Sequence, residues 1–170
     1  MLLSPIVNMW AGYISLFIPY RGRGLESWEQ EIARRVGVQA PTRVRLIIVR
    51  ALPFPNLSWI RQLAIQRGMS RSGPIGLTLG HGIFIREGCY SVRLLSHECR
   101  HVYQYELAGS VRKFLDRYIA EVLAYGYQDA PLEIDARAHE IANVLNGGGM
   151  DFFGASSRQK IPESQESEDA

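Results

Sequence analysis

The stretch His97-Glu98-Cys99-Arg100-His101 commits this chain to a helix with its chemistry on one side. It lies within YSVRLLSHECRHVYQYELA, residues 90–108, where Leu94, Leu95, Val102, Tyr105 and Ala108 recur at helical spacing and neither proline nor glycine interrupts. Ser91 supplies an N-cap oxygen, and Gly109 can take the left-handed conformation that ends a helix. Residues four apart share a helix face, so His97 and His101 come together, and Gln104 and Ala108 continue their stripe. Two imidazoles on one face can ligate one metal ion, and Glu98, next to His97, can lean over a water held at that ion. That is the arrangement of a zinc hydrolase, with Glu98 as its catalytic base. The chain has four histidines, His81, His97, His101 and His139, so the pentapeptide needs support from its surroundings.

A catalytic zinc centre takes three protein ligands and leaves one position to water. Downstream, SVRKFLDRYIAEVLAY, residues 110–125, sets Phe114, Leu115, Tyr118, Ile119 and Val122 on one face and ends at Gly126. Asp129-Ala130-Pro131 then opens another helix, PLEIDARAHEIANVLN, expected to run to Gly147 with Ile134, Ala138, Ile141 and Leu145 toward a core. Glu133 in its first turn is a candidate third ligand, although the helix macrodipole also favours a glutamate there. Asp135 and His139 are its rivals; Asp135, two residues on, projects from a nearly opposite side. Arg100 and Glu106 read as solvent-side residues.

LLSHECRHVYQYE, followed by PLEIDARAHE, resembles the gluzincin metallopeptidases, in which HExxH on one helix is joined by a glutamate ligand on a later one. His97 to Gln104, read as HExxHVxQ, is especially similar to small bacterial zinc-peptidase-like domains. Glu133-Ile134-Asp135-Ala136 is similar to the E-x-x-A part of the E-x-x-A-D motif of the CAAX prenyl protease family, and by that match the ligand glutamate falls on Glu133. Arg137 stands where that family has its aspartate, which leaves Asp116, Asp129, Asp135 and Glu140 as unranked candidates to orient the histidines. The resemblance spans about Gly76 to Leu145. It implies a zincin-like fold, one zinc ion held by His97, His101 and Glu133, and hydrolysis of a peptide or protein substrate. It also implies that the strand read from GLTLGHGIFI, residues 76–85, ahead of the turn Arg86-Glu87-Gly88, borders the cleft and pairs with substrate backbone. His81, inside that strand, reads as an exposed strand-end residue rather than a ligand.

On this reading water fills the zinc's open position, and Glu98 takes its proton as it attacks a peptide carbonyl and hands it to the departing amine. A donor to the developing oxyanion is sought among Tyr103, Tyr105, Tyr118, Tyr125, Tyr127 and His139, with the Tyr125-Gly126-Tyr127 stretch the first choice. Aromatic packing at a helix end accounts for the same residues. A second reading keeps zinc and a peptidase-like fold without catalysis, as an interaction or regulatory module, membrane-peripheral in one version. The intact Glu98 speaks against it, because metal binding alone does not need that residue.

The rest of the chain bounds the fold. One domain is expected at 170 residues with 46% hydrophobic content. Ser27 or Glu26 opens a helix through Arg35 that ends near Gly37; Thr42 to Arg50 reads as a strand; Leu52-Pro53-Phe54-Pro55-Asn56 is an extended connector; and a further helix runs from Ser58 to Arg67. Helix, strand, helix, strand and three helices make an α+β fold, a small mixed sheet packed on a helical layer. Residues 1–20 are apolar, yet lack the basic start and cleavage site of a secretory signal, and Pro5, Asn8 and Pro19 interrupt any span. They are expected to form an amphipathic helix packed on the domain at 21–153, with a membrane surface the less favoured partner.

Residues 154–170 read as a disordered acidic tail. The net charge is +2, and setting aside the four negative charges of Glu163, Glu166, Glu168 and Asp169 leaves +6 on the body. Its arginines form no basic run, so no nucleic-acid partner is expected. Cys89 and Cys99 are too few for a disulfide scaffold, and Cys99, on the far side of the helix from both histidines, reads as a buried free thiol. Together with the missing secretory signal, this points to the cytoplasm.

Overall fold

Apolar runs in two strands, RLIIV and GIFIR, build the centre of a small mixed sheet. The structure, a computed structural model, describes residues 3–15, 21–53 and 58–142. Strand β1 (Arg23–Gly24) pairs antiparallel with β2 (Arg45–Val49), and β2 runs parallel to β4 (Gly82–Arg86). Strand β3 (Gly76–Leu79) pairs antiparallel with β4, so the order is β1-β2-β4-β3, with β3 at one edge.

Register sets Leu46 beside Ile83 and Ile47 beside Phe84. Successive strand residues point to opposite faces. Leu46, Ile83 and Ile85 therefore enter a core shared with helices α2 (Ser27–Arg35) and α4 (Val92–Ala108), through Ile32, Ala33, Leu95, Cys99 and Val102. Ile47, Leu79 and Phe84 enter a second core with α1 (Leu3–Ser15) and α5 (Val111–Tyr125), through Ala11, Phe114 and Leu115. The class is α+β, but helices cover both faces of the sheet instead of one. Continuous apolar strands, rather than alternating ones, are the signature of that burial.

Two further boundaries differ from expectation. Residues 76–85 are not one strand: the chain reverses at Gly80-His81, and Gly80 has φ 61°, a conformation glycine adopts without strain. The last helix, α6 (Pro131–Ala138), stops well short of Gly147. Ser96 Oγ accepts a hydrogen bond from Ile141 N (2.9 Å), so the chain there is tied to α4 instead of continuing its own helix. The buried face of α6 is Leu132, Glu133 and Ala136, while Ile134 is exposed. Leu145, the connector residues 54–56 and the tail at 154–170 lie outside the described residues.

The remaining helix, α3 (Ser58–Gln66), sits between β2 and β3 in the chain. Helix α1 contributes Ala11 to the second core, with Val7, Trp10 and Ile14 packed beside it, and leaves Met9 and Tyr13 exposed. Asn8 Nδ2 donates to Asp116 Oδ1 (2.9 Å), joining α1 to α5. Among the described residues no helix is long and apolar enough to cross a membrane.

Candidate metal centre

Helix α4 forms where its local signals require. Ser91 Oγ accepts from Leu94 N (3.1 Å) at the start, and Gly109 closes the end at φ 76°. One side of α4 buries Leu95, Cys99 and Val102 against the sheet. The neighbouring side carries His97, Glu98, His101 and Gln104, all buried as well. Ser110 Oγ caps α5 by accepting from Lys113 N (3.2 Å), and the chain after Gly126 brings α6 back beside α4.

This return places Glu133 against both histidines. Glu133 Oε2 lies 3.5 Å from His97 Nε2, and Oε1 lies 3.4 Å from His101 Nε2. Ligand atoms about 2.1 Å from a tetrahedral ion stand about 3.4 Å apart, so the spacing suits a shared ion better than direct hydrogen bonds. One ligand atom from each of the three residues falls within 4.8 Å of the others. Glu133 is 1% exposed, and its Oε2 has no hydrogen-bond partner. A buried carboxylate oxygen without a hydrogen bond is costly, and a cation at this point, in closer contact than Arg137 Nη1 at 3.6 Å, offsets that cost. His97, His101 and Glu133 can therefore hold a metal ion.

The other ring nitrogens are spoken for, which turns both Nε2 atoms toward the centre. His97 Nδ1 donates to Glu140 Oε1 (3.0 Å), and His101 Nδ1 donates to Gln104 Oε1 (2.8 Å). Both acceptors are themselves held. Arg93 pairs with Glu140. Gln104 Nε2 donates to the Leu132 carbonyl (2.9 Å) and to Asp135 Oδ2 (2.7 Å), which fixes its amide orientation. Arg100 braces Asp135 with Nε and Nη2 (2.8 and 2.9 Å) and donates through Nη1 to the Val36 carbonyl (2.9 Å). Of the four carboxylates left unranked by sequence, Glu140 orients His97 directly and Asp135 reaches His101 through Gln104. Asp116 bonds Asn8, and Asp129 is exposed.

Arg100 and Glu106 are not solvent-side residues. The Glu106 side chain is 8% exposed and accepts from Gln39 N (2.7 Å), Ala40 N (3.1 Å) and His81 Nε2 (3.0 Å). His81 is thus held in the hairpin turn by Glu106, away from the centre. Cys99 is buried in the first core, where burial pushes its thiol up.

Glu98 shares the centre. Its Oε2 accepts a hydrogen bond from Thr78 Oγ1 (2.7 Å), and it lines the same cleft as the three ligands. That cleft has apolar walls from Met69, Leu77, Phe114 and Leu115, with Tyr118 and Tyr127 beside Glu133. Tyr118 donates to Glu133 Oε1 (2.7 Å). Tyr125 is exposed, and His139, half-buried, engages the Asp135 carbonyl through Nδ1 (2.8 Å); neither lines the cleft. Arg137 places Nη1 3.6 Å from Glu133 Oε2 and donates to the Gln128 carbonyl.

Charges follow from this packing. Burial pushes the Glu98 carboxyl up, opposed by His101 and His97. Burial works the same way on Glu133, but the His101 and His97 imidazoles and the Tyr118 hydroxyl hold that carboxyl well below the ordinary range. Burial lowers His101, yet Glu133 and Glu98 outweigh it and raise the imidazole above its ordinary 6.5. Protons and metal compete for that nitrogen. Metal affinity, followed by titration against a chelator, is expected to fall about tenfold per pH unit for each proton displaced as the solution is acidified through the raised value. Affinity that does not change with pH would contradict this assignment. The metal-free protein has the opposite sign: stabilisation from the His101–Glu133 pair is full below 6.5 and is lost as pH rises through the raised value.

Thr78 and Gly76 carry no sequence signal, because they reach Glu98 from a strand distant in the chain; Glu140 is one of the four carboxylates left unranked by sequence, and Gln104 lies on the histidine stripe without an assigned role. No protein-family model, curated protein or solved structure matches this chain.

Proposed function

We propose that the protein is a zinc-dependent hydrolase of peptide bonds with a zincin-like fold, in which His97, His101 and Glu133 hold the ion and Glu98 is the general base. The observation that carries the reading is Glu98 itself. Three ligands suffice to hold a metal, yet a further carboxylate is buried beside them, facing the same cleft, at a cost of several kcal/mol if it bears charge. A general base accounts for a carboxylate at that place. The HExxH…Glu pattern of His97, Glu98, His101 and Glu133, similar to that of the gluzincins, supports the same reading.

Zinc bound by two imidazoles and a carboxylate supplies Lewis acidity toward a carbonyl and lowers the pKa of water. The chain's own residues do the rest. Glu98 takes a proton from the attacking water and returns it to the departing amine nitrogen. Tyr127 lines the cleft beside Glu133; burial and Glu133 push its phenol up, so it stays protonated and can turn from Glu133 to donate to a developing oxyanion. The Tyr118 proton is committed to Glu133. Strand β3 is an edge strand beside the cleft, suited to pairing with an extended peptide.

Zinc-loaded protein incubated with a mixed peptide library is expected to generate new N-termini detectable by mass spectrometry, lost on chelation and restored by zinc. A library left intact by fully loaded protein overturns the proposal.

A further inference from the structure

We infer that strand β3 is the positioning element for the base: Thr78 selects which oxygen of Glu98 accepts the proton, and Gly76 makes the room that oxygen needs. The inference rests on the reading of Glu98 as general base.

Gly76 and Thr78 are two apart in one strand and therefore share a face, the one toward α4. Both meet Glu98. Thr78 Oγ1 lies 2.7 Å from Glu98 Oε2 and 3.1 Å from the Glu98 carbonyl oxygen, and both residues are buried. A hydroxyl has one proton to donate, and the shorter contact, to the carboxylate, takes it. That bond engages one lone pair of Oε2 and makes it the less basic of the two oxygens. Oε1 is thereby favoured as the oxygen that receives a proton from the cleft.

Gly76 meets that second oxygen. A Cβ built on residue 76 would stand 2.1 Å from Glu98 Oε1 and 2.7 Å from its Cδ, inside any contact a real side chain makes. The backbone at Gly76 is ordinary in conformation, so the glycine is demanded by this approach and not by its dihedral angles. One strand thus grips the carboxylate from both ends, through a hydrogen bond at Oε2 and close packing at Oε1. Proton transfer requires the accepting oxygen within hydrogen-bond reach, and a displacement of about 1 Å costs on the order of a hundredfold in rate.

The test compares Thr78→Val, which keeps the shape and removes the donor, with Thr78→Ser, which restores it. Thr78→Val is expected to lower kcat on a cleaved library peptide about 10- to 100-fold with KM and zinc content unchanged, and Thr78→Ser to recover most of that loss. Gly76→Ala is expected to lower kcat at least as far while zinc is retained. A second readout needs no activity: in metal-free protein Thr78→Val lowers Tm by about 4 °C or more, and by clearly less in a Glu98→Ala background, where only the longer bond from Thr78 to the carbonyl of residue 98 remains to be lost. Wild-type kcat in Thr78→Val, with Tm effects that simply add, overturns the inference and leaves the proposed function standing. A wild-type protein that cleaves nothing removes the base role of Glu98, and with it this inference.

Discussion

Glu98→Gln is expected to keep its zinc and lose hydrolysis. The amide has nearly the shape of the carboxylate, and its oxygen can still accept the Thr78 hydrogen bond, so the three ligands keep their positions. What it lacks is a basic oxygen. Loss of general-base catalysis lowers the rate on the order of 10²- to 10⁴-fold, read from cleavage of a library peptide at saturating substrate and from metal analysis of the same sample. Stability should move in the other direction. Burial raises the Glu98 carboxyl above its ordinary 4.5, so in the metal-free wild type its charge destabilises the fold increasingly as pH rises through 4.5, and fully above the raised value. The neutral amide escapes that penalty, and metal-free Glu98→Gln is expected to melt higher than wild type at neutral pH. Hydrolysis by Glu98→Gln at the wild-type rate would remove Glu98 from its role.

The second large effect belongs to the ligands. Wild-type protein is expected to bind about one zinc per chain, and the combined His97→Ala, His101→Ala and Glu133→Ala protein none, by elemental analysis after dialysis. Binding to the folded state alone raises stability by about 2.7 kcal/mol when zinc is at 100 times its Kd, which corresponds to a Tm increase of about 5–10 °C for a domain of this size. The triple variant should show no zinc-dependent shift. A triple variant that retains one zinc per chain would place the ion elsewhere. Glu133→Ala alone is the informative single change: it deletes the orphaned oxygen and leaves both imidazoles oriented by Glu140 and Gln104. It should bind zinc weakly and hydrolyse poorly.

Legibility of the site tracks how local each feature is. Ser91, Ser110, Gly109 and Gly126 mark helix ends through contacts within a few residues, and the structure places helix boundaries beside all four. The His97–His101 stripe follows from helical geometry alone. The hairpin at Gly80-His81 was hidden because residues 76–85 are strand-forming on both sides of a two-residue reversal. The early end of α6 was hidden because Ile141 and His139 fit a helical pattern; the bond from Ile141 N to Ser96 is made across to another helix. Glu106 has the look of a surface residue in its own helix, and becomes buried only because the backbone at Gln39 and Ala40 and the turn at His81 close over it.

By itself, the amino-acid sequence determined that residues 92–108 form a capped helix with two histidines and a glutamine on one stripe and Glu98 beside it, and that strands and helices combine into an α+β domain. Capping, helical periodicity and strand patterning are short-range, so the residues themselves carry them. Only the tertiary structure decided that Glu133, rather than Asp135 or His139, meets both Nε2 atoms, that Glu140 and Gln104 turn the two rings, and that β3 brings Thr78 and Gly76 onto Glu98. Those contacts depend on how α6 and β3 dock against α4, which is set by burial of Leu132, Ala136 and Leu79 in the shared cores and by pairing of β3 with β4, not by anything near them in sequence.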